Sequence, residues 1–157
     1  MPRMEQLDAS LLDLVVQTST NLPPDVRRAM ARALEGESPD SRSGQAMAVI
    51  AANIDMASDC DGPICQDTGI VNVFVKWGQD CRLESQMSLQ DVVDEGVRRA
   101  YLNADNKLRA SVLADPAFTR RNTKDNTPCV LHVEMVKGNK VTVDVAAKGG
   151  GSENKSK

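Results

Sequence analysis

Asp61-Gly62-Pro63-Ile64-Cys65-Gln66-Asp67-Thr68-Gly69-Ile70-Val71-Asn72-Val73-Phe74-Val75-Lys76-Trp77 is the stretch from which the rest of the chain can be read. Its second half alternates, with Val71, Val73 and Val75 on one side and Ile70, Asn72, Phe74 and Lys76 on the other. That is the two-residue period of a strand buried on one face. Its first half is broken by glycine, proline and aspartate, and it packs a thiol, an amide, a carboxylate and a hydroxyl into residues 65 to 68. Loops that join regular elements are where chemistry concentrates. On spacing alone two readings stand: an ordinary thiol beside an Asp-Thr-Gly turn, or half of an active site.

Upstream, apolar residues recur at helical spacing in three segments. Residues 6 to 18 carry Leu7, Leu11, Leu14 and Val15. Pro23-Pro24-Asp25 opens a second helix with Val26, Ala29, Met30, Ala33 and Leu34 on one side, and Gly36 stands where it ends. A third, from about residue 43 to residue 58, is expected to bury Ala46, Val49, Ile50, Asn53, Ile54 and Ala57 and to deliver the chain to Cys60.

Downstream, Ser88 and Asp91 mark the start of a fourth helix striped by Leu89, Val92, Val93, Val97, Ala100 and Tyr101 and ended by Asp105-Asn106-Lys107. The breakers Asp115-Pro116 and Asp125-Asn126-Thr127-Pro128 then predict ordered but irregular chain. Residues 130 to 136 and 140 to 146 alternate again around Gly138-Asn139, which reads as a β-hairpin because a two-residue turn there needs positive φ. Helices first, then strands with a helix between, predict an α+β fold: amino-terminal helices followed by a small, mainly antiparallel sheet with a β-hairpin near the C-terminus.

The 157 residues suit one domain with a real core, and 41% apolar with 26% charged residues are ordinary globular values. A net charge of -3 with basic and acidic residues interspersed leaves no stripe for a nucleic-acid backbone, and aromatic residues are too few to stack bases. No apolar run approaches a membrane span, and Met1-Pro2-Arg3-Met4-Glu5 lacks the regions of a signal peptide. Neither nucleic acid nor membrane is therefore expected as a partner, and a cytoplasmic location is. There Cys60, Cys65, Cys81 and Cys129 stay reduced. Their spacing is not that of a zinc ribbon, so a metal bound here must draw ligands from elsewhere.

A second chemical element follows the last alternating run: Lys148-Gly149-Gly150-Gly151-Ser152-Glu153-Asn154-Lys155. Glycines leave backbone amides open to an anion, and Ser152 suits the cap of a helix starting immediately after. The spacings of a P-loop and of a dinucleotide fingerprint both fail. Taken alone, the segment also reads as a flexible linker.

Asp-Gly-Pro-Ile-Cys-Gln-Asp-Thr-Gly at 61 to 69, Asp-Asn-Thr-Pro at 125 to 128 and Ala-Lys-Gly-Gly-Gly-Ser-Glu-Asn-Lys-Ser at 147 to 156 together resemble the amino-terminal domain of the iron-sulfur, class I fumarate hydratases. That family includes the tartrate dehydratase α subunit, and the resemblance spans nearly all of residues 1-157. It implies a hydro-lyase of the tricarboxylic acid cycle, reversibly hydrating fumarate to malate with a [4Fe-4S] cluster as Lewis acid. The alternatives are a tartrate dehydratase α subunit fragment and a non-catalytic anion-binding or subunit-interaction module.

By the same resemblance Cys65 is the first of three cluster ligands, and Gln66 and Asp67 meet the substrate, a small dicarboxylate. Asp67 takes the catalytic part by orienting the hydroxyl that leaves as water. Arg109, in Asn106-Lys107-Leu108-Arg109-Ala110-Ser111, resembles the family's arginine that grips a substrate carboxylate, and Gly150 and Gly151 would offer amides to its other oxygens. His132 reads as a solvated or hydrogen-bonded strand residue rather than a base. Cys60, Cys81 and Cys129 do not match the ligand positions, and Lys148 reads equally as an anion contact or a surface lysine.

In the family the two further cysteines and the proton-abstracting base lie beyond these residues. The expectation is therefore an amino-terminal domain incomplete at its C-terminal end and inactive alone. It would need a missing C-terminal domain or partner subunit, and would be a homo-oligomer when complete.

Overall fold

The computed structural model describes residues 4–103 and 108–151. Four helices come from the segments the periodicity marks: α1 (Met4–Thr20), α2 (Pro24–Glu35), α3 (Arg42–Asp59) and, after strand β1 (Ile70–Gly78), α4 (Leu89–Leu102). Short strands β2 (Leu113–Ala114) and β3 (Arg121–Asn122) form an antiparallel ladder within the irregular stretch, followed by β4 (Val130–Val136) and β5 (Val141–Lys148). The fold is α+β. The expected helix end at 105 to 107 and the cap at Ser152 lie outside the described residues.

Helices α1 and α4 pack together over one face of the main sheet. In α1, Leu11 and Val15 are buried four residues apart, and in α4 the buried apolar set is Val92, Val93, Val97, Ala100 and Tyr101. Against them β1 turns Val71, Val73, Val75 and Trp77, all buried. Fully burying one such aliphatic side chain stabilises the fold by roughly 1.5–3 kcal/mol, so this cluster carries the domain. The Ser88–Asp91 pair forms a complete capping box, which fixes where α4 begins and how it meets the sheet.

The main sheet has the order β4-β1-β5. β1 is central, parallel to β4 with Val73 beside Leu131, and antiparallel to β5 with Val73 beside Val145. The two runs joined at Gly138 are thus adjacent in sequence but separated by β1 in the sheet, and the sheet is mixed. The end of β1 is wedged into the turn. Gly78 N–H donates to the Lys140 carbonyl (2.9 Å), Gln79 N–H to Val136 (2.8 Å) and Asp80 N–H to Gly138 (3.0 Å). A Cβ on Gly78 would lie 2.4 Å from the Gly138 carbonyl oxygen, so only glycine fits there. Gly138 has the positive φ expected (103°), but Asn139 does not, and a type I′ hairpin turn needs both.

Helix α3 departs from its expected burial. Ile54 and Ala57 are buried and Asn53 is half-buried, but Ala46, Val49 and Ile50 are exposed, Val49 by 70%. The reason is packing: α3 lies against α2, which buries no residue fully, and the sheet does not reach under its first half. The opposite face of the sheet is also open, and there His132 stacks on Phe74 with ring centroids 4.7 Å apart.

Candidate functional site

The loop between α3 and β1 is held at both ends by hydrogen bonds. At its start Gly62 N–H donates to Ala57 (3.0 Å), Ile64 N–H donates to the Ser19 carbonyl at the end of α1 (3.1 Å), and Asn53 Nδ2 donates to the Ile64 carbonyl (2.6 Å). At its end, buried Thr68 donates through Oγ1 to the Arg109 carbonyl, and the Gly69 carbonyl accepts from Ser111 Oγ (2.9 Å) and Asn126 Nδ2 (3.1 Å).

Asn126 is the hub of that second anchor. It is 0% exposed, sits at φ 60°, and its Oδ1 also accepts from the amides of Ser111 (2.8 Å) and Val112 (3.1 Å). One amide side chain therefore joins the cysteine loop to the segment bearing Arg109. Its neighbour Asp125 accepts from Thr127 N–H and Oγ1 and from Arg98 Nε (3.0 Å). Burial opposes the charge on Asp125, yet those hydrogen bonds and the Arg98 cation outweigh it and hold the carboxyl below its ordinary range.

Between the anchors the expected residues come together. Arg109 Nη2 donates to the Gln66 backbone carbonyl. Asp67 Oδ2 accepts from both Gly150 N–H (3.0 Å) and Gly151 N–H (3.1 Å), which brings the glycine loop onto the cysteine loop. Gly69 permits this approach: at φ 72°, a Cβ on it would lie 2.4 Å from the Lys148 carbonyl oxygen. The arginine and the glycine amides are thus engaged with the loop itself.

The Cys65 thiol is exposed and donates to the Asp67 carbonyl (3.3 Å). It lines an open cleft of about 620 Å³ whose wall includes Val49, Ile50, Gln66 and Arg109, and on its other side a pocket of about 190 Å³ with Ser19, Thr68 and Ala147. The exposed half of α3 is therefore an apolar wall beside the thiol, not surplus surface.

Cys60 is exposed like Cys65, but Cys129 and Cys81 are built differently. Cys129 is buried, its amide bonded to Asp94 Oδ1 (2.8 Å), and burial, reinforced by the Asp94 carboxylate, pushes its thiol up to about 12. Cys81 is half-buried and its carbonyl accepts from Trp77 Nε1 (3.3 Å). Among the described residues no group of three or more His, Cys, Asp or Glu side chains is placed to hold a metal ion. Cys65 is exposed and lies at the cleft, beside Gln66 and Arg109. No helix among the described residues is long and apolar enough to cross a membrane.

Sequence reasoning missed Thr68, Ser111 and above all Asn126. The signal was present in Asp-Asn-Thr-Pro, since asparagine is the non-glycine residue most at ease at positive φ.

Comparison with known proteins gives the family. The chain is 34% identical over 156 residues to a fumarate hydratase class I of Geobacillus stearothermophilus, covering 98% of this chain and 29% of that protein. It is 30% identical to an L(+)-tartrate dehydratase subunit alpha of Methanocaldococcus jannaschii, covering 93% of this chain and 51% of the relative. To the L(+)-tartrate dehydratase subunit alpha of Escherichia coli strain K12 it is 26% identical, covering 94% and 48%. The chain thus spans between about a third and a half of the relatives it matches. The family model described as Fumarate hydratase (Fumerase) matches residues 9–157, and the chain belongs to that family.

Proposed function

We propose that this chain is the amino-terminal domain of a hydro-lyase that reversibly adds water across the double bond of fumarate to give malate. The observation that carries the reading is the convergence of Cys65, Asp67, Arg109 and the Gly150–Gly151 amides on one loop beside an open cleft. Cys65 would hold one corner of a [4Fe-4S] cluster, and two further cysteines would come from additional chain or a partner subunit. When bound, such a cluster supplies a Lewis acid that polarises a substrate oxygen.

The chain's own residues bind and orient. Arg109 presents a planar fork suited to a carboxylate. The Gly150 and Gly151 amides are two donors suited to an anionic oxygen, and in the resting chain they hold the Asp67 carboxylate. Gln66 can donate to or accept from a substrate oxygen, and Asp67 would accept a proton from the water that adds and return it to the hydroxyl that departs. Val49 and Ile50 give that side of the cleft an apolar wall. The complete enzyme would be a cytoplasmic oligomer.

The test pairs this chain with the complementary portion of the Geobacillus stearothermophilus relative under anaerobic iron and sulfide loading. Fumarate hydration and cluster absorbance are expected from the pair, neither from this chain alone, and both are expected to be lost in Cys65→Ser. Hydration at an enzyme-like rate by the lone chain, or by the Cys65→Ser pair, would overturn the assignment. Tartrate dehydration is the second reading, favoured by the tartrate dehydratase relatives, and the same preparation offered L(+)-tartrate decides between them.

A further inference from the structure

Asp67 and the glycine loop raise a problem for any ligand entering the site, because the amides suited to a carboxylate already hold one. Both N–H groups converge on the same oxygen, Asp67 Oδ2, at 3.0 and 3.1 Å. Two backbone donors on one carboxylate oxygen make an anion nest, and charge-assisted bonds of this kind are the stronger class. Both glycines are exposed, a Cβ on Gly150 would meet nothing within 4 Å, and the nearest atom to one on Gly151 is Asp67 Oδ2 itself at 3.9 Å. The nest is open on its outer side, so an incoming anion reaches it directly.

Resting on the reading above, we propose that Asp67 is an exchangeable internal carboxylate that fills the Gly150–Gly151 nest until a carboxylate of the substrate displaces it. The exchange is between like groups, a carboxylate for a carboxylate on the same two donors, so the hydrogen bonds lost and gained nearly cancel. What changes is the engagement of Asp67: held in the nest, its Oδ2 accepts from two amides, and displaced, it is free to meet the ligand beside Cys65.

The probe is succinate, a saturated dicarboxylate of the substrate's length, titrated into the 15N-labelled chain while the Gly150 and Gly151 amide resonances are followed. Exchange predicts that both amides respond, and that Asp67→Asn and Asp67→Ala bind succinate about tenfold more tightly because the internal competitor is weakened or removed. If Asp67 only contacts the ligand, both variants bind more weakly, and the exchange is overturned while the nest remains a carboxylate site. Unchanged affinity in both variants also overturns it. If the two amides stay silent to succinate in every version, including variants whose spectra remain dispersed, both the exchange and the substrate-binding role of the glycines fall. The two variants guard against misfolding: Asp67→Asn keeps the shape and an acceptor oxygen, and the order wild type, Asp67→Asn, Asp67→Ala in rising affinity is required.

Discussion

Replacing Asn126 with alanine should loosen the whole candidate site by unfolding its anchor. Truncation removes the acceptor of two amides, Ser111 and Val112, while the Gly69 carbonyl keeps its bond from Ser111 Oγ. Stranding a buried donor costs about 1–3 kcal/mol, so two stranded amides cost about 3 kcal/mol when the site relaxes in part. The position adds a backbone penalty, because φ is 60° and alanine resists that region by about 1 kcal/mol more than asparagine does. The sum, about 4 kcal/mol, is a large share of the roughly 5–15 kcal/mol that holds a domain together. With a urea slope of about 2 kcal/mol per molar, the unfolding midpoint should fall by about 2 M. Asn126→Gly removes the same side chain but tolerates the backbone, so it should lie above Asn126→Ala by about 1 kcal/mol. Urea unfolding followed by far-ultraviolet circular dichroism measures all three. A fall of less than about 0.5 M for Asn126→Ala, or a glycine variant less stable than the alanine one, would refute the clamp.

Gly69→Ala should destabilise by several kcal/mol, since its Cβ meets backbone atoms of Lys148 and Gly149 that have no easy retreat; a thermal midpoint within about 2 °C of wild type would contradict this. Iodoacetamide near neutral pH should label exposed Cys65 at least about a hundredfold faster than buried Cys129, whose thiol titrates near 12, and peptide mass spectrometry that finds equal rates would disprove the burial argument. Because the folded chain holds the Cys129 proton more tightly than the unfolded chain, that contribution is complete below pH 9 and is lost as pH rises towards about 12, so Cys129→Ala should flatten the alkaline decline in stability. Asp125 behaves oppositely: its lowered carboxyl stabilises above the ordinary carboxylate range and loses that contribution as pH falls, so Arg98→Met should move the acid unfolding midpoint to higher pH, and an unmoved midpoint would count against the Arg98 contact.

Much of the scaffold was legible because it rests on local rules. The stripes of α1 and α4, the Ser88–Asp91 cap and the alternation of β1 are written within a few turns of helix or one strand, and each forms as read. Helix α3 was not, since periodicity reports that a face is apolar and not what covers it; here Val49 and Ile50 wall a cleft instead of entering the core. The same applies to the strands around Gly138, where two alternating runs and a turn do not reveal that a third strand lies between them. Within the site, the cysteine loop, Arg109 and the glycines were recognisable as motifs. Their mutual bonds, and the clamp at Asn126, join residues far apart in the chain and leave no local pattern to read.

The position of β1 between β4 and β5 sets an order of events for folding. A hairpin of the usual kind can zip from its turn without help, but here the strands on either side of Gly138 bond to β1 and not to each other. No strand of the main sheet can be completed from neighbours in sequence, and Asn72 must find Val130 across the whole of α4 and the irregular stretch. Loop closure of that length is a slow step, and it precedes most of the sheet's hydrogen bonds. The strand that leads out of the cysteine loop is therefore also the seam on which the domain closes, so a chain that has formed its sheet has already brought Cys65 and the glycine loop together.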